Sequence, residues 1–253
     1  MPKLMKRDPK TIALVAFFVV AALLVGGGLL WNNQRAADSS GYVSSYTPPV
    51  TTPPVPAALV AVVGDSYTGG SDMGGVGSAN WTSIVQWHMD EAKTPIRLEV
   101  SGQGGSGYVN AGSAKTVFPG EAARIVKSED QIVVVFGSRN DTRQDIEAVR
   151  SAARATYSQI KVNAPNAKLI VIAPPSVNEN VPRDIIALRD ALKREADAAG
   201  AVFVDPIAEG WFFGDKAGLI GSDGLHPTDE GHAYMAGLIQ PHIEAALKPS
   251  TPQ

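Results

Sequence analysis

The sequence predicts an α/β protein: a three-layer α/β/α sandwich around a mainly parallel five-stranded sheet, preceded by an N-terminal transmembrane helix. Three observations predict it. Short apolar runs alternate with amphipathic segments from about residue 57 to 248. The middle runs are almost wholly apolar, as strands covered on both faces must be. The residues able to do chemistry follow the ends of those runs, where ligands sit in open parallel sheets.

The elements follow in chain order. Residues 1–11 form a basic flank, with Lys3, Lys6, Arg7 and Lys10 against Asp8. Residues 12–31, IALVAFFVVAALLVGGGLLW, carry no charged side chain. Such a helix is about 30 Å long, the thickness of a bilayer's hydrocarbon core. The basic flank should stay inside and the rest of the chain outside. The run exceeds the usual signal-peptide core, and NNQRAADSS offers a poor cleavage site, so a retained anchor is expected; cleavage would instead release a secreted protein. Residues 32–56 are rich in Ser, Thr and Pro and read as an extended linker. Residues 57–248 form the catalytic-sized domain, and 249–253 a disordered tail.

Within the domain, strands are expected at 58–63, 96–100, 131–136, 168–173 and 201–204, each apolar and bounded by turn residues. A helix is expected over 143–163, where Ile146, Val149, Ala153, Tyr157 and Ile160 recur at helical spacing before Pro165. Another is expected over 228–247, with Thr228 as N-cap and Met235, Leu238, Ile239 and Ile243 on one face.

Composition removes several functions. The net charge of −3 leaves no basic stripe, so nucleic acid is not a partner. With no cysteine, disulfides, thiolate metal sites and cysteine nucleophiles are absent. GQGGSG, 102–107, matches neither common nucleotide-binding loop.

The chemistry starts at GDS, 64–66, where the first strand runs into a glycine-rich loop on a serine. A serine hydroxyl is inert without a neighbouring base. SDGLHPTDEGH, 222–232, supplies one: Asp223 precedes His226 by three residues, and Pro227 keeps His226 out of a helix. A turn there lets Asp223 hold one imidazole nitrogen and leaves the other to accept a proton from Ser66. An acyl-transfer site also needs donors for the developing oxyanion. The Ser66 N–H, a glycine N–H from GQGGSG and the Asn140 amide in FGSRND, 136–141, all follow strand ends.

These four blocks, GDS, a glycine loop, an Asn after the third strand and a C-terminal DxxH, together resemble the SGNH (GDSL-type) hydrolase family over essentially residues 58–247. The resemblance implies a flavodoxin-like sheet, no cofactor and cleavage of carboxylic esters. It makes Ser66 the nucleophile, His226 the base and Asp223 its orienting acid. Ser66, Gly105 (or Gly104) and Asn140 form the oxyanion hole. Two departures stand out. The glycine block reads VSGQGG where the family often begins with Asn. GSRND carries Arg139 as an extra residue in the common GxND pattern. Neither removes a catalytic group.

The expected function is hydrolysis of short-chain or acetyl esters outside the cytoplasm, on a small-molecule, lipid or acetylated-glycan substrate. The alternatives are an acetyltransferase or deacetylase acting on cell-surface glycan, and a non-catalytic wall-binding module. The loops 67–80, 106–118 and 174–182 would shape the pocket, with Tyr67, Tyr108 and Phe118 in them. Trp211, Phe212 and Phe213 either wall the site or pack in the core. Asp65 is expected to fix the turn at Ser66 and Asp141 to cap the following helix. His242 and His88 are assigned to packing and His232 to the surface. No metal site is expected, because His226, His232, Asp223 and Asp229 lack a strong ligand spacing.

Overall fold

The structure, a computed structural model, describes residues 56–248. The expected anchor at 12–31, most of the linker and the 249–253 tail lie outside the described residues. Among those described, no helix is long and apolar enough to cross a membrane.

Five parallel strands form one sheet: β1 (Ala58–Gly64), β2 (Ile96–Gly102), β3 (Ile132–Phe136), β4 (Lys168–Ile172) and β5 (Val202–Val204), in the order β2-β1-β3-β4-β5. That order is the flavodoxin-like one, with its topological switch beside the first strand. The expected strands are all present, with ends moved by at most two residues.

Their apolar character follows from the layers on both sides. In β3 every residue is buried. One face, carrying Val60, Val62, Ile132, Val134, Phe136 and Ile170, packs against α2 (Trp81–Glu91) and α6 (Asp229–Leu247). The other, carrying Ala61, Val63, Val133, Val135 and Val171, packs against α3 (Phe118–Ile125), α4 (Ile146–Asn163) and α5 (Arg183–Ala199). A single turn of helix, α1 (Ser66–Gly69), follows β1 directly.

Local chemistry sets the helix ends. Thr228 caps α6 as expected, its Oγ1 accepting from the Gly231 N–H at 3.2 Å. Helix α4 starts later than 143 because Asp145, not Asp141, is its cap and accepts from the Ala148 N–H at 3.1 Å. Asn80 caps α2 and also donates to the Thr68 and Gly75 carbonyls at 2.8 and 2.7 Å, pinning the loop after Ser66 to the helix that follows it. On α5, Glu195 is buried between the Arg150 and Arg154 guanidiniums of α4, which hold its carboxyl below the usual range.

Several aromatic side chains settle differently from the loop positions their sequence suggests. Tyr67, Tyr108 and Phe118 are buried rather than lining an open pocket. Tyr108 meets Tyr157 hydroxyl to hydroxyl at 2.6 Å and packs edge-on against Phe118. Trp211 and Phe212 join the core, and Phe213 is half-buried. Phe136, at the end of β3, is the hub, with edge contacts to Tyr67, Trp81 and Trp211. Removing that ring leaves three aromatic neighbours facing a cavity. Phe136→Ala should lower stability by about 3–5 kcal/mol, read from the urea midpoint at unchanged m-value.

Candidate active site

The site assembles at the C-terminal ends of β1, β2 and β3. Register does the placing: Gly64 pairs with Gly102 on one side and Phe136 on the other, so three loops leave the sheet at one level. Ser66 begins α1 one residue past β1. As the first helical residue its N–H has no acceptor one turn back. Asp65 caps that turn, its Oδ1 accepting from the Tyr67 N–H at 2.9 Å, the role expected of it.

His226 arrives from 160 residues away, and its Nε2 lies 2.9 Å from Ser66 Oγ. Its Nδ1 lies 2.6 Å from Asp223 Oδ2. Asp223 Oδ1 accepts from the Leu225 and His226 backbone N–H groups at 2.9 and 3.0 Å. The His226 N–H, the His226 imidazole and the Leu225 N–H together hold the Asp223 carboxyl at about 2. A charged carboxylate therefore faces Nδ1 across the neutral range. It favours the proton on Nδ1 and leaves Nε2 to accept one from the serine.

Gly105 adopts φ +77°, a left-handed turn that side chains rarely enter. Its N–H donates to no loop carbonyl. Gly104 is exposed and accepts from the Ser113 N–H at 3.3 Å. Gly105 and Asn140 line one open cavity of about 420 Å³ together with Leu225. Asn140 Nδ2 donates to the Ser106 carbonyl at 2.8 Å and, at a longer 3.3 Å, to Asp65 Oδ2. The five residues that the sequence singles out thus come from three strand ends and one distant loop to a common region.

Three contributors escaped the sequence. Asp141 does not cap a helix. It is buried, bonds Ser138 Oγ, and accepts from the N–H groups of Tyr108, Val109 and Asn110 at 2.7, 3.1 and 2.8 Å. It ties the Asn140 loop to the glycine loop. Gly107 is required there, since a Cβ would lie 2.4 Å from Ser138 Oγ and 2.5 Å from Asp141 Oδ2. The available signal was the Asp directly following Asn140. Tyr67 anchors the other side: its hydroxyl donates to the Leu225 carbonyl at 2.6 Å, fastening the His226 loop to α1. Nothing local in the sequence announces a contact across 158 residues.

His232 is the third, and it overturns the surface assignment. It is fully buried, its Nδ1 accepting from the Trp81 N–H at 3.4 Å. Burial pushes its imidazole down to about 4. His242 is only half-buried, not a core residue. His88 is half-buried and meets Gln240 at 2.9 Å. Among the described residues no three His, Asp or Glu side chains converge as a metal site.

The chain is similar to known proteins in sequence and in fold. Residues 62–234 match the model of the GDSL-like lipase/acylhydrolase family. A GDSL lipase from Mycobacterium tuberculosis is 46% identical over 192 residues, covering 74% of this chain and 82% of that protein. Among solved structures, a lipase/acylhydrolase from Enterococcus faecalis superposes with a TM-score of 0.59 at 17% identity, over 77% of this chain and 100% of that one. A family two carbohydrate esterase from Clostridium thermocellum gives 0.60 at 17%, over 77% and 66%. At that identity the two structures speak to the fold alone.

Two buried groups beside the site give opposed pH effects. Burial raises Asp65 to about 7, so between about 4 and 7 the folded chain holds a proton that the unfolded chain has lost. Stability from this group falls as pH rises through that window. His232, lowered to about 4, does the reverse: the unfolded chain binds the extra proton between about 4 and 6.5, and stability rises with pH. Asp65→Asn should therefore steepen the rise of urea stability from pH 4.5 to 6.5, and His232→Gln should flatten or invert it. Equal profiles for wild type and both variants would contradict these environments.

Proposed function

The chain belongs to the GDSL-like lipase/acylhydrolase family and is a hydrolase acting on esters; on that premise we propose that Ser66 is its nucleophile, His226 its general base and Asp223 the acid that orients His226. The observation that carries the proposal is the chain of contacts Ser66 Oγ–His226 Nε2–Asp223 Oδ2 at 2.9 and 2.6 Å. Ser66 Oγ attacks the acyl carbon as its proton passes to Nε2. The carbonyl oxygen gains negative charge and takes hydrogen bonds from the Ser66 and Gly105 N–H groups and from Asn140 Nδ2. For Asn140 this means exchanging its long contact to Asp65 Oδ2 for the oxyanion, a stronger acceptor. The imidazolium then returns its proton to the leaving alcohol. Water, activated by the same nitrogen, releases the acyl group from Ser66.

The favoured substrates are short-chain or acetyl esters. Support comes from the aromatic side chains of the surrounding loops, which turn into the core and leave no long apolar lining. The cavity beside Gly105 and Asn140 is instead walled mainly by polar side chains. Deacylation of surface glycan fits the same chemistry, and the likeness in fold to a carbohydrate esterase is compatible with it. We place the domain outside the cytoplasm, held by residues 12–31, because that uncharged run follows a basic flank and precedes a Pro-rich linker.

Ser66→Ala should lower kcat for 4-nitrophenyl acetate by at least about a thousandfold with an unchanged circular dichroism spectrum. Labelling by a fluorophosphonate probe should vanish with it. Wild-type rates should fall from acetate to octanoate, and full activity in the variant would refute the assignment. For location, the full chain should stay with carbonate-washed membranes, and protease added to intact cells should remove the esterase domain. A domain protected until lysis would refute the outward orientation.

A further inference from the structure

The cavity beside Gly105 and Asn140 has a charge that ester hydrolysis does not require. Arg139 and Arg143 line it, with Asn110 and Gln144 between them. Neither guanidinium pairs with a carboxylate among the described residues, whereas Arg97, Arg124, Arg150, Arg154 and Arg189 each do. Arg139 Nη1 is buried and finds no acceptor. A buried charged donor left unbonded costs free energy, and a small shift of the guanidinium toward a ligand oxygen in the cavity would recover part of it.

The nearest carboxylates are committed elsewhere. Asp141 is saturated by Ser138 and three backbone N–H groups, and Asp65 bonds the Tyr67 N–H and Asn140. Neither carboxylate is in ion-pair contact with Arg139 or Arg143, so both guanidiniums are left without a charged partner at this cavity. Arg143 is exposed and stands at the rim, whereas Arg139 is half-buried at the wall. Arg139 occupies the position by which GSRND exceeds the common GxND pattern, so the extra residue is the one that brings a cation to the oxyanion side of the site.

We propose that this cavity is an anion subsite and that the ester this protein cleaves carries a carboxylate on the part of the substrate held there. A guanidinium presents paired donors matching the two oxygens of a carboxylate, and two such groups on one open cavity set both position and charge preference. The subsite rests on the esterase function proposed above and adds to it a substrate class: acidic esters, with the acid either on the acyl chain or on the alcohol.

The test compares matched esters on the full chain in detergent. 4-Nitrophenyl hemisuccinate against 4-nitrophenyl butyrate places the carboxylate on the acyl side. 4-Acetoxybenzoate against its methyl ester places it on the alcohol side. In one of the two pairs the anionic member should have the higher kcat/KM, by about tenfold or more, and added salt should shrink the gap. Arg139→Gln and Arg143→Gln should each reduce that ratio, and Arg143→Glu should reverse it. Arg143 is exposed, so its variants report even where Arg139→Gln fails to fold. Turnover of the neutral esters with no preference in either pair overturns the subsite and leaves the esterase standing. A preference that survives both Arg143 variants overturns it too. A wild-type chain that cleaves none of the four and takes no fluorophosphonate label removes the esterase function, and the subsite with it.

Discussion

Gly64 sits in the middle of a three-strand register, paired with Gly102 in β2 and Phe136 in β3. Parallel pairing brings every strand's C-terminal end to the same edge, so a serine after β1, a glycine loop after β2 and an asparagine after β3 must emerge together. A slip of one residue in either pair would turn the buried valines of β1 and β3 to the opposite face. The central strands β1 and β3 are buried on both sides, and that burial holds the register. The placing of the site is a consequence of sheet packing in the layers beneath it.

The fourth participant is not delivered by the sheet. His226 sits in a loop between a 3₁₀ turn (Gly214–Leu219) and α6, and backbone contacts fix it at both ends. Asp223 folds the loop on itself through the Leu225 and His226 N–H groups, and Tyr67 clamps its Leu225 carbonyl from the first loop. The Gly221 N–H also donates to the His226 carbonyl at 2.8 Å. The imidazole is oriented before any substrate arrives, which spares the reaction the entropy of finding it.

Two buried aspartates near Ser66 show how environment divides one residue type into two tasks. Asp141 collects four donors and acts as a rivet between the Asn140 loop and the glycine loop. Asp65 is bonded by the Tyr67 and Arg139 backbone N–H groups and by one long amide contact, and burial outweighs them, lifting it to about 7. Its hold on Asn140 is the longer of that amide's two contacts. On the outer side, Arg139 and Arg143 bring two cations to one cavity of a protein whose net charge is negative.

The strands, the two helices read from periodicity, and the residue types around GDS and DxxH were legible in the sequence because each rests on neighbours within a few positions. Apolar runs, caps and turns are local physics. The sequence also marked Arg139 as an extra residue, without saying where its charge would lie. Long-range pairing was not legible. The contact of Tyr67 with Leu225, the burial of His232 under Trp81 and the role of Asp141 between two loops all depend on segments far apart in sequence. Local pattern likewise placed Tyr67, Tyr108 and Phe118 in pocket loops, whereas packing drew them into the core. Side-chain type and spacing determine what a residue can do; only the closing of the sheet and its helices decides which partner it meets, because burial and contact are properties of the assembled chain.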